Sequence, residues 1–153
     1  AHDGFQANVS YWSKNRKGDT EKKGIKYQEL NNLLSQSDFI SVNLAYVPET
    51  KDFFNQERIS LIKSGCIVIS TVQNEVFDFN ALVERLKKND ITFILDHSDE
   101  LTPEQAKELS KYSNCTMYPP IGYITKEATE TKLGMFVDNL ENFLNGKPSN
   151  KVN

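Results

Sequence analysis

The segment Asp96-His97-Ser98-Asp99-Glu100 sets one imidazole among three carboxyl groups. Histidine ionises nearest neutral pH, so His97 is a candidate base, although a single His after a strand is more often a structural residue. Upstream, Ser13, Lys14 and Arg16 offer a hydroxyl and two cations, the donors that hold a phosphate group. Between Lys14 and Lys26 there are six basic and two acidic residues, a balance that an ordinary solvated loop also has. Cys66 and Cys115 lie in separate apolar runs and read as buried thiols of a reducing compartment rather than as a disulfide framework. No zinc-ligand spacing, phosphate-binding loop or nucleophile elbow is present, so no metal site is expected.

These residues need elements to position them, and the pattern supplies an alternation. Strands are expected over Ala7–Trp12, Ile25–Tyr27, Phe39–Leu44, Cys66–Ser70, Thr92–Asp96 and Cys115–Tyr118. The Cys66–Ser70 run is continuously apolar, as in a strand covered on both faces. Helices are expected over Gln28–Ser35, Gln56–Lys63, Phe79–Lys88 and a stretch ending near Tyr112. Asp78 and Thr125 stand as N-caps, and Thr102-Pro103-Glu104-Gln105 has the form of a capping box with Pro at the first turn. The last helix runs from Thr125 to about Leu144, with Leu133, Phe136, Val137, Leu140 and Phe143 on one face that should pack on a core. Gly146 and Pro148 end it.

Strands alternating with helices imply right-handed crossovers and a Rossmann-type α/β fold, a parallel sheet with helices on both faces. In such sheets ligands bind beyond the carboxyl ends of the strands. The residues to watch are therefore Ser13–Arg16, Asn43–Val47, Thr71–Asn74, Asp96–Glu100 and Pro119–Gly122.

The chain has 153 residues, 38% hydrophobic and 25% charged, enough for one domain with a real core. A net charge of −3 argues against nucleic acid as a partner. There is no run of about 18 apolar residues to span a bilayer. The first residues, AHDGFQANVS, carry no basic-then-apolar leader, and a cytoplasmic protein is expected.

The strand-end segments, in order, carry a family likeness. The run SDFISVNLAYVPETKDFFNQERISLIKSGCIVISTVQNEVFDFNALVERLKKNDITFILDHSDE, followed by the ending NLENFLNGKPSNKVN, resembles the D-isomer-specific 2-hydroxyacid dehydrogenases, of the hydroxypyruvate and glyoxylate reductase kind. Members show a PET-type turn, then a stretch like NTARG, a strand ending in LDV, a PHIG segment and a final helix leading to a G.P.N.VN ending. The resemblance implies an NAD(P)-binding domain acting with a small 2-keto or 2-hydroxy acid, and a homodimer built on this domain. In that family the domain begins with a strand and a G-x-G-x-x-G turn that receives the pyrophosphate. None of the seven glycines here has another two residues away. The strand before that turn would lie between Ala7–Trp12 and Phe39–Leu44, and its loss leaves unpaired backbone on both neighbours. The chain therefore reads as part of a longer protein, with a rearranged sheet or a strand from another chain as the alternatives.

Position by position, the resemblance implies altered chemistry. The family Arg that clamps the substrate carboxylate falls on Gln73, which donates a hydrogen bond but carries no charge. The family His falls on Pro120, which has no titratable group, and the family Glu falls near Asp99 and Glu100. Catalysis should be impaired, or else run through a different set of groups. Cofactor positions are better kept. Ser13, Lys14 and Arg16 replace the acid that would bind a ribose 2′-hydroxyl, which favours NADP over NAD. Asn43, Leu44 and Ala45 stand beside the adenine, where the family has His-x-Pro, Thr50 keeps the Thr of the PET turn, and Thr71, Val72 and Asp96 lie on the nicotinamide side.

Overall fold

A computed structural model describes residues 1–119, 122 and 124–152. The chain divides into two compact units, Ala1–Tyr118 and Pro119–Asn153. The first unit runs α1 (His2–Phe5), β1 (Ser10–Tyr11), α2 (Gly18–Glu21), β2 (Lys26–Tyr27), α3 (Leu30–Gln36), β3 (Phe39–Val42), α4 (Gln56–Leu61), β4 (Ile67–Ser70), α5 (Phe79–Lys87), β5 (Thr92–Leu95), α6 (Pro103–Leu109) and β6 (Cys115–Met117). The second holds α7 (Lys126–Leu144).

Every strand pairing is parallel. β3, β4, β5 and β6 form one sheet in that order, with Phe39 opposite Ile67, Ile67 opposite Thr92 and Phe93 opposite Cys115. β1 and β2 form a separate two-stranded sheet. The expected α/β alternation is thus realised, and the gap expected between β1 and β3 leaves each with one edge lacking a strand partner among the described residues. β1 is shorter than the apolar run suggests, because a strand extends only as far as its partner does.

Alternate residues of the larger sheet face a continuous core. Ile40, Val42, Val68, Phe93 and Leu95 are buried and meet Leu34 of α3, Ile59 of α4, Leu82 and Leu86 of α5, and Leu109 of α6. The opposite face is more open: Phe39 is 70% exposed, and Ile67 and Ile69 are half-buried. A run of aromatic rings crosses the unit, Trp12 to Phe53 at 5.2 Å, Phe53 to Phe54 at 5.4 Å, Phe54 stacked on Phe77 at 4.7 Å, and Phe77 to Phe93 at 5.2 Å. It ties the end of β1 to the core of the larger sheet, a packing role for Phe53 and Phe54.

Local capping works as the sequence reads. Asp78 accepts from Ala81 N at 3.1 Å, Thr125 accepts from Ala128 N at 3.1 Å, and both bonds of the Thr102–Gln105 box form. Gly65, at φ 83°, turns the chain from α4 into β4 in a conformation that a side chain disfavours.

One expectation is corrected. Leu133, Phe136, Val137, Leu140 and Phe143 were expected to face a core, yet each is at least half exposed, Phe136 reaching 70%. An apolar stripe states only that a helix face needs a cover, and among the described residues the unit that holds α7 has no other helix or strand to provide one.

Candidate functional site at the strand carboxyl ends

Parallel strands deliver the loops after β1, β3, β4, β5 and β6 to one end of their sheets, and side chains stitch neighbouring loops together. Thr71, just after β4, has its hydroxyl 3.1 Å from both Val42 O and Asn43 Oδ1, so its single proton reaches one or the other. Asn43 Nδ2 donates to Ser41 Oγ at 2.9 Å. Thr50 Oγ1 accepts from Val47 N at 2.9 Å and donates its one proton to Ala45 O at 2.9 Å or Val47 O at 3.0 Å, which folds the 44–50 loop on itself. Asn74 Nδ2 donates to His97 O at 3.0 Å, joining the loops after β4 and β5, and Ser98 N donates to Tyr118 O at 3.3 Å, joining those after β5 and β6.

The structure thus brings Asn43 and Thr71 into contact, and holds Asn74 against the backbone of His97. Leu44 packs partly on the core while Ala45 is exposed. The Val72 side chain is buried at 6% exposure and belongs to the core, so its backbone is what it can offer a ligand. Gln73 is exposed. Asp96 is half-buried, and among the described residues its side chain caps no helix: the short 3-10 turn Ser98–Glu100 begins at His97 without a side-chain cap. His97 Nδ1 is buried with no hydrogen-bond partner, 3.6 Å from Glu100 Oε1 and 4.0 Å from Asp99 Oδ1. Pro120 lies outside the described residues, as does Tyr123. Tyr118 is 49% exposed.

After β1 the arrangement is one the sequence did not suggest. Arg16 donates from Nε to Glu21 Oε1 at 3.0 Å and from Nη2 to Glu21 Oε2 at 2.6 Å, a bidentate pair. Tyr11 OH donates to Glu21 Oε1 at 2.8 Å and accepts from Lys17 N at 2.6 Å. The Arg16 guanidinium also sits 5.2 Å from the centre of the Tyr27 ring. The Arg16 bonds, and then the Tyr11 hydroxyl, hold the Glu21 carboxyl below its ordinary pKa. Burial, offset by the Lys17 bond and reinforced by Glu21, raises that of Tyr11. Ser13 Oγ donates to Asn15 O at 2.6 Å, and Lys14 is exposed. Glu21 was hidden in sequence because α2 spans four residues, too few for periodicity; its one signal was an acid among the basic residues that follow Lys14.

Two groups of side chains have donors and acceptors of the kind a dinucleotide needs: the cations of the loop after β1, and the Thr71 hydroxyl with the Asp96 carboxylate. The 153 residues contain no glycine pair suited to cradle a pyrophosphate between them.

A parallel α/β fold with polar loops gathered at the strand carboxyl ends defines the Rossmann class of nucleotide-binding domains. Within that class, the chain belongs to the D-isomer specific 2-hydroxyacid dehydrogenases, by its match to their NAD binding domain over residues 1–122. It is 35% identical to the glyoxylate reductase of Thermococcus litoralis over 153 residues, covering 98% of this chain and 46% of that protein. Against the glyoxylate reductase of Pyrococcus furiosus the identity is 33%, over 98% of this chain and 45% of that protein. A D-lactate dehydrogenase from Aquifex aeolicus, solved with NAD and lactic acid, superposes with a TM-score of 0.81 at 26% identity, over 94% of this chain and 48% of that one. An acyclic imino acid reductase solved with NADPH and D-Arg gives 0.77 at 27% identity, over 99% and 48%. The chain therefore spans about half the length of the relatives it matches. Among the described residues no helix is long and apolar enough to cross a membrane.

Proposed function

We propose that this chain is the dinucleotide-binding half of a cytoplasmic, dimeric protein of 2-hydroxyacid dehydrogenase type whose catalytic positions no longer support ordinary turnover. The observation that carries this reading is Gln73: an exposed, uncharged side chain at the carboxyl end of β4, where the family places its carboxylate-binding Arg. Pro120 at the family His position acts in the same direction. A bound nicotinamide would supply the hydride. Thr71 and Asp96 would hold the nicotinamide end, and Ser13, Lys14 and Arg16 the ribose end. Those cations favour NADP, with NAD as the alternative.

The test is the oxidation of NADPH and NADH by the purified protein with glyoxylate, pyruvate or hydroxypyruvate. Rates at least about a thousand-fold below an ordinary enzyme turnover of about 10 per second support the reading. Rates in the ordinary range overturn it.

A second reading is a working oxidoreductase with an altered site, favoured by His97, whose buried Nδ1 lies within 4.0 Å of two carboxylates. If that reading holds, His97→Ala abolishes a measurable activity. A third is a structural or dimerisation module, favoured by the exposed apolar face of α7; a strictly monomeric protein by light scattering contradicts it.

A further inference from the structure

The loop after β1 holds a cation that is already occupied. Both outer nitrogens on one edge of the Arg16 fork, Nε and Nη2, are bonded to the two oxygens of Glu21. Glu21 is itself fixed from behind by Tyr11 OH at the end of β1, and Tyr11 is anchored by Lys17 N and by edge-to-face packing on Tyr27 at 5.6 Å. Glu21 is 29% exposed and Arg16 67%, so the arginine is the partner free to swing and the carboxylate the one held in place.

A phosphate on a ribose 2′-oxygen would seek the same bidentate edge of Arg16 that Glu21 now fills. It would also bring a second anion close to the fixed carboxylate. A free 2′-hydroxyl meets the opposite situation, because it can donate to that carboxylate while the Arg16 pair stays intact. The end of β1 carries no acid of its own, and α2 supplies one that bonds to the Tyr11 hydroxyl.

We propose that Glu21 sets the preference of this site between NADH and NADPH, by holding Arg16 and by facing the ribose 2′-position. This rests on the reading that the loop after β1 receives the adenosine ribose. Arg16 has two uses, paired with Glu21 when the ribose carries a hydroxyl and turned to the phosphate when it carries one. Glu21 decides how readily it changes. The neutral Gln at position 21 keeps the shape and an acceptor for Tyr11, but it neither neutralises Arg16 nor repels a phosphate.

The experiment titrates the full chain with NADPH and with NADH, following the fluorescence of Trp12, in wild type, Glu21→Gln, Glu21→Ala and the double variant Glu21→Gln/Arg16→Met. Far-UV circular dichroism confirms that each is folded. Both single variants should raise the preference for NADPH over NADH about ten-fold or more, and the double variant should lose that gain. A preference that moves less than about two-fold in both single variants, with cofactor still bound, overturns the role of Glu21 and leaves the proposed function standing. So does a gain that persists without Arg16. A wild-type chain that binds neither nucleotide overturns the proposed function and this inference with it.

Discussion

Arg85→Met removes a buried charge at the end of the sheet opposite the candidate site, and its effect can be worked from the contacts. The Arg85 side chain is 8% exposed. It donates from Nη2 to Ile62 O at 2.7 Å and from Nη1 to Ser60 O at 3.3 Å, closing the carbonyl end of α4 with a side chain from α5. Its Nε lies 3.0 Å from Asp90 Oδ1, an ion pair whose angle falls outside hydrogen-bond geometry. Methionine keeps the apolar stem and loses every donor. Ile62 is buried, so its carbonyl is left dry, at about 1–3 kcal/mol. Asp90 is 30% exposed and can turn to water, which holds the orphaned charge well below the about 3–5 kcal/mol of a fully buried broken pair. The sum is about 3 kcal/mol. For a chain of 153 residues that lowers the melting temperature by about 6–12 °C. The assay is urea unfolding followed by circular dichroism, with an unchanged dependence on denaturant. Arg85→Lys should recover little, because one ammonium cannot span three acceptors. A loss below about 1 kcal/mol would mean that Arg85 does not hold the Ile62 carbonyl against burial.

The carboxyl-end loops respond to smaller changes. Asn74→Ala removes the donor to His97 O and should cost about 1 kcal/mol, read by the same unfolding curves. Burial pushes the Cys115 thiol up to about 11 and raises that of Cys66, so at pH 8 about one Cys115 in a thousand is thiolate. Both should react slowly with a disulfide reagent until denaturant is added, and prompt reaction of the folded protein contradicts the burial of Cys66 and the partial burial of Cys115. The Glu21 carboxyl, lowered chiefly by Arg16, contributes stability that is present above its unfolded pKa of about 4.3 and is lost as the pH falls through the lower folded value. Glu21→Gln should therefore flatten the stability profile below about pH 4.5, measured as melting temperature against pH.

Short-range chemistry explains what was readable in sequence. The caps at Asp78, Thr102 and Thr125 form because each side chain needs only a backbone N–H three residues on. The alternation of apolar runs located β3 to β6 within a residue or two, and so located the loops that follow them. The bonds that join those loops, Thr71 to Asn43 and Asn74 to His97, link positions 28 and 23 residues apart and leave no local trace. The same holds for Glu21. Arg16 reads as a free phosphate ligand in sequence and proves to be engaged, because a pairing five residues apart depends on how the loop folds onto α2. The stripe on α7 was legible as apolar, but periodicity is silent about what covers it.

A titration of Trp12 fluorescence with NADPH tests most directly whether this chain binds a dinucleotide. Trp12 is the chain's single tryptophan, lies between β1 and Ser13, and rests on Phe53 at 5.2 Å. A dinucleotide seat at the strand carboxyl ends should give saturable quenching without accompanying turnover of glyoxylate. A Trp12 signal unmoved by NADPH and by NADH alike would contradict it.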